Sequence, residues 1–154
     1  MAALTLPPVV LLTGLLMAAS CRADVFVIAS AEAPLQAISP KELQALYMGK
    51  RQALSDGVRV QATDLPRNHP LRERFYGQLT GMSLAQVSSH WARLLFSGQS
   101  TPPLTLTDEA SMLSYLKRTP AALGYSTTAP PQPSGLKVVM VLKTGADSSR
   151  DHAP

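Results

Sequence analysis

Cysteine is almost absent from this chain of 154 residues: Cys21 stands alone, so no disulfide can form within it and the fold must rest on packing. Aromatic residues make up only 5%, which leaves little material for stacking against nucleic-acid bases. Charged residues make up 16%, and no run of five or more basic residues occurs. The net charge of +4 is therefore spread over a solvated surface instead of forming a patch for nucleic acid or anionic lipid. The three histidines, His69, His90 and His152, stand far apart in sequence. No paired cysteine ligands, HExxH, phosphate-loop or nucleophile-triad pattern is present. These absences leave no candidate catalytic residue, metal or cofactor, and we expect a protein that is not an enzyme.

What the sequence does have begins at the N-terminus. Leu4 to Ala19 is apolar and uncharged, broken only by Thr5, Pro7, Pro8, Thr13 and Gly14. Its stretch from Val9 to Ala19 suits a signal-peptide core and is shorter than the roughly 20 residues that a spanning helix needs. Cys21 and Ala23 are small residues at the third and first positions before a cut that would make Asp24 the mature N-terminus. Ala18-Ala19-Ser20-Cys21 also approximates a lipoprotein acylation box, so lipid on Cys21 is the alternative. Both routes imply export to the periplasm with no transmembrane helix in the mature chain. We expect residues 1–23 to be a signal peptide, 24–142 one α/β domain, and 143–154, polar and unpatterned, a disordered tail.

Within the domain, Val25 to Ile28 is a continuous β-branched and aromatic run, as in a strand buried on both faces. Ser39-Pro40-Lys41-Glu42 starts a helix with an N-cap, a proline at the first helical position and a capping box. Leu43, Leu46 and Tyr47 form its apolar stripe and Gly49 its stop. Ser55-Asp56-Gly57 is turn chemistry, and the alternation from Val58 to Ala62 predicts a strand. Pro70 opens a second helix with Leu71, Phe75 and Leu79 on one face, ended by Gly81. Ser83 to Gln86 repeats the capping box, and Leu84, Val87, Trp91, Leu94 and Leu95 give the clearest amphipathic pattern. Thr107 is the expected cap of a helix carrying Met112, Leu113 and Leu116, which Pro120 terminates. Short strands follow at Leu123 to Tyr125 and at Leu136 to Leu142. Alternating strands and helices predict an α/β fold, a single small sheet flanked by helices.

Thr63, Asp64, Arg67, Asn68, His69 and Arg72 are the candidate ligand-binding residues. This segment leaves a strand end and enters a helix N-terminus, where free N–H groups and the macrodipole favour an anion and the arginines add charge-assisted hydrogen bonds. In the competing reading Asp64 or Asn68 only caps the helix and the arginines are solvated, with Arg72-Glu73-Arg74 an exposed helix surface. Tyr47, Phe75 and Trp91 lie on apolar stripes and are assigned to packing.

Three phrases share an order with a known family: Leu43-Gln44-Ala45-Leu46-Tyr47-Met48-Gly49-Lys50, Leu54-Ser55-Asp56-Gly57, and Thr119-Pro120-Ala121-Ala122-Leu123-Gly124-Tyr125. From Leu35 to Ala129 the chain resembles the second lobe of phosphate-type ABC-transporter solute-binding proteins. The resemblance implies one lobe of a type II periplasmic binding protein, a small oxyanion such as phosphate as ligand, and an ABC permease or other envelope protein as partner. It departs from the family at Thr63 to Pro70, where the Ser-Gly-Thr-like turn of the family's ligand loop is missing. The two functions to weigh are a solute-binding-like protein and a ligand-free envelope accessory protein built on the same lobe.

Overall fold

A computed structural model describes residues 23–144. The expected signal segment up to residue 22 and the tail from residue 145 lie outside the described residues. The architecture is a five-stranded mixed sheet in the order β3-β2-β4-β1-β5. Strand β1 (Val25–Ser30) pairs antiparallel with both β4 (Ala122–Ser126) and β5 (Leu136–Leu142). Strand β2 (Gln61–Asp64) pairs parallel with β4 and with the two-residue β3 (Leu104–Thr105). Thus β1 alone runs against the other four. Its partners on both edges explain its unbroken apolar run, with Val25, Val27, Ile28 and Ala29 fully buried.

Helix α1 (Pro40–Tyr47) begins as its sequence predicts, with Ser39 and Glu42 in a reciprocal capping box. Glu42 also accepts from the Ser55 hydroxyl, tying the turn to the helix. The Ser55 and Ser39 hydroxyls stabilise its ionised form and pull the Glu42 pKa down to about 2. Helix α2 (Pro70–Thr80) ends at Gly81, whose φ of 71° is the left-handed conformation of a helix terminus. Helix α3 (Leu84–Phe96) starts with the Ser83/Gln86 capping box, and α4 (Glu109–Arg118) ends before Pro120. Alternation along β4 divides the helices between the faces. Tyr125 stacks on Phe75 of α2 with ring centroids 4.0 Å apart, while neighbouring Gly124 meets Met112 of α4 on the opposite face. Both α1 and α3 pack against α2.

Three local expectations are corrected. The strand expected at Val58 to Ala62 begins only at Gln61. Val58 and Arg59 instead close a small hairpin, with Leu54 donating to the Val58 carbonyl and Ala53 bridging Arg59. Their alternation serves that turn, and the sheet ladder starts where Gln61 meets Ala122. The loop through Thr101 to Pro103 leads into β3, too short a strand to leave a periodic signal. Helix α4 is capped by Asp108, which accepts from the Ser111 N–H at 2.7 Å, and not by Thr107. A carboxylate there also meets the positive end of the helix dipole. In α3 only Val87 and Trp91 are buried, while Leu95 is 57% and Phe96 94% exposed.

The end of α1 lies against Trp91. A Cβ on Gly49, at φ 70°, would stand 2.7 Å from the indole Cη2 and 2.9 Å from Ser100 Oγ. Both the positive φ and the contact demand glycine. Gly49→Ala is expected to lower stability by about 1–3 kcal/mol in urea unfolding.

Candidate functional site

Strands β2 and β3 are parallel and end side by side at Asp64 and Thr105. In open α/β sheets, ligands bind in the crevice beyond such carboxyl ends. Here that crevice is a cleft of about 340 Å³, which Asp64, Arg67 and Arg72 line on one side and Trp91, Leu95 and Phe96 of α3 on the other.

Asp64 lies under the cleft in a complete set of hydrogen bonds. Its Oδ1 accepts from the Tyr125 hydroxyl at 2.6 Å and the Leu65 N–H at 2.9 Å. Its Oδ2 accepts from Arg72 Nε at 2.9 Å and the Tyr76 hydroxyl at 3.0 Å. Four donors fill the acceptor sites of a carboxylate. Arg72 and Tyr76 are four residues apart on α2, so one helix face delivers both. The guanidinium carbon lies 4.9 Å from the centroid of the Tyr76 ring. Around the pair, Tyr47, Phe75, Tyr76 and Tyr125 form an edge-to-face and stacked cluster.

The electrostatics follow from this burial. Desolvation works to lower the Arg72 pKa, but the adjacent Asp64 carboxylate outweighs it and the net shift is upward. Desolvation first, and then the Asp64 charge, push the Tyr47, Tyr76 and Tyr125 phenols well above their ordinary range. All three remain neutral donors at neutral pH.

Two donors beside the cleft are left over. Arg72 is 8% and Trp91 7% exposed, and Arg72 Nη1 and Trp91 Nε1 are buried with no hydrogen-bond partner among the described residues. The indole is near enough to lower the Tyr76 pKa slightly, yet its geometry falls short of a hydrogen bond. Buried donors without partners are uncommon because each forfeits its interaction with water.

Of the six candidate residues, Asp64, Arg67 and Arg72 meet at this cleft, with Arg67 solvent-exposed at its rim. Thr63 is turned into the sheet, its hydroxyl donating to the Leu123 carbonyl at 2.8 Å. Neither Asp64 nor Asn68 caps α2. His69 is the cap, its Nδ1 accepting the Leu71 N–H at 3.2 Å, and Asn68 is exposed outside the cleft. Arg72 is not part of an exposed surface, because Asp64 draws it inward. The sequence reading missed Trp91, Leu95 and Phe96 as cleft residues and Tyr76 and Tyr125 as partners of Asp64. The spacing of Arg72 and Tyr76 was the available signal. Among the described residues no group of His, Cys, Asp or Glu side chains has the arrangement of a metal site, and no helix is long and apolar enough to cross a membrane.

Removing the carboxylate strands a buried guanidinium, so Asp64→Ala is expected to lose about 3–5 kcal/mol in urea unfolding. At high pH the unfolded chain gives up phenolic protons from about pH 10, while Tyr47, Tyr76 and Tyr125 keep theirs in the fold. Stability should therefore fall as pH rises past that value. Phenolate absorbance from these three should grow in step with loss of the fold, not ahead of it.

No protein-family model and no curated protein matches the sequence. Solved structures do match the fold. An ABC-type phosphate transport receptor from Vibrio cholerae superposes with a TM-score of 0.57 at 11% identity, over 77% of this chain and 47% of that one. A protein from Clostridium perfringens, described as a phosphate ABC transporter substrate-binding protein with bound phosphate, gives 0.54 at 11% identity, over 77% and 45%. The chain spans about half the length of the solved proteins it matches. Its described domain, one mixed sheet flanked by helices, has the fold of a single lobe of a periplasmic binding protein.

Proposed function

We propose that this chain is an exported, periplasmic solute-binding-like protein whose cleft at the ends of β2 and β3 takes phosphate or another small oxyanion for an ABC uptake system. The observation that carries this reading is the pair of buried, unpartnered donors, Arg72 Nη1 and Trp91 Nε1, on side chains that line one cleft. An anion there would restore their missing hydrogen bonds, and Arg67 at the rim adds charge. The likeness of fold to phosphate-transport proteins supports the same class of role. A lobe of this size offers one wall of a clamshell cleft, so affinity should be modest unless another protein supplies the second wall.

A second reading rests on a separate observation. Leu95 and Phe96 lie exposed at the cleft rim, as apolar residues at a protein interface do. An envelope accessory protein that docks a partner on this rim, with no ligand of its own, fits that feature.

Calorimetry of the purified protein with phosphate, carboxylates and related oxyanions distinguishes the two. Saturable heat that weakens at least tenfold in Arg67→Ala supports the first reading; such losses are typical of charge-assisted contacts. Absence of heat for every anion would favour the accessory protein.

A further inference from the structure

The cleft specifies more than a negative charge. This step rests on the small-anion reading above and concerns which anion the site takes. The ionisable residues lining it are Asp64, Arg67 and Arg72, which leave one net positive charge. The Asp64 carboxylate lies 2.9 Å from Arg72 Nε and has already matched that guanidinium. A second negative charge on the ligand would face Asp64 without a cation of its own. Asp64 also has no acceptor capacity left for a ligand hydroxyl, because four donors occupy it.

Beyond these three the lining residues are mostly of apolar type, while polar and apolar atoms expose similar areas to the cleft. Trp91, Leu95 and Phe96 of α3 line it together with Pro102 and Pro103, and among the described residues the only lining side-chain hydroxyls are those of Ser88 and Thr105. A strongly hydrated dianion would exchange many hydrogen bonds to water for few in the protein. A volume of about 340 Å³ lies within the range of cavities that hold small organic molecules. We infer that the ligand of this cleft is a singly charged carboxylate with an apolar body, its head toward Arg72, Trp91 and Arg67 and its body along Leu95 and Phe96.

Trp91 is the only tryptophan, so its fluorescence and its indole N–H resonance report on this cleft alone. The test titrates the purified protein with phenylacetate, acetate and inorganic phosphate at about pH 8, where phosphate is mainly the dianion. Phenylacetate should saturate and shift the indole signal, acetate should bind roughly tenfold more weakly for lack of apolar contact, and phosphate should fail to displace phenylacetate. Phe96→Ser, at a side chain 94% exposed, leaves the core untouched and should weaken phenylacetate several-fold with acetate unchanged. Phosphate binding more tightly than phenylacetate, or acetate equalling it, would overturn the carboxylate assignment and leave the small-anion reading in place. No response to any of the three would overturn both. Phenylacetate binding that bypasses the Trp91 signal would place the ligand elsewhere and also defeat the assignment.

Discussion

The carboxylate of Asp64 gathers donors from the loop beyond its own strand, from α2 and from β4, and the cleft depends on that convergence. Without it Arg72 would have no reason to leave solvent, since burying a guanidinium costs several kcal/mol unless a charge and hydrogen bonds compensate. With it, α2 is held to the sheet by a polar contact set among the Tyr47, Phe75, Tyr76 and Tyr125 rings. The phenols serve both sides of this arrangement. Their rings fill the core, and two of their hydroxyls satisfy the carboxylate.

The far wall of the cleft follows from a second constraint, the close approach of α1 to α3. Gly49 lets the indole of Trp91 rest against the end of α1, and the Trp91 ring then forms part of the cleft lining. Helix α3 uses a narrow stripe, Val87 and Trp91, for packing, which frees Leu95 and Phe96 to face outward at the rim. An ion-pair floor and an apolar wall are thus products of how three helices meet the sheet.

Much of this was legible in the sequence where the cause is local. Capping boxes at Ser39 and Ser83, the proline at position 70 and the glycine after α2 each act within four residues, and the structure has each helix start where they indicate. Long-range pairing was not legible. Asp64 and Tyr125 are 61 residues apart, and nothing near Arg72 announces that a carboxylate from β2 will reach it. The hairpin at Ala53 to Arg59 defeated the strand assignment for the same reason, because alternation shows which side chains share a face and not which neighbour pairs with the backbone. The resemblance to one lobe of a binding protein held at the level of fold, and the residues of the ligand loop divided between cleft, sheet and helix cap.

The most direct test of Asp64 as the organising group is a double-mutant cycle with Asp64→Asn and Tyr125→Phe, read by urea unfolding. Residues sharing one hydrogen-bond network should couple by at least ~1 kcal/mol. Additive losses from the two substitutions would contradict the account and leave Asp64 as one buried carboxylate among independent contacts.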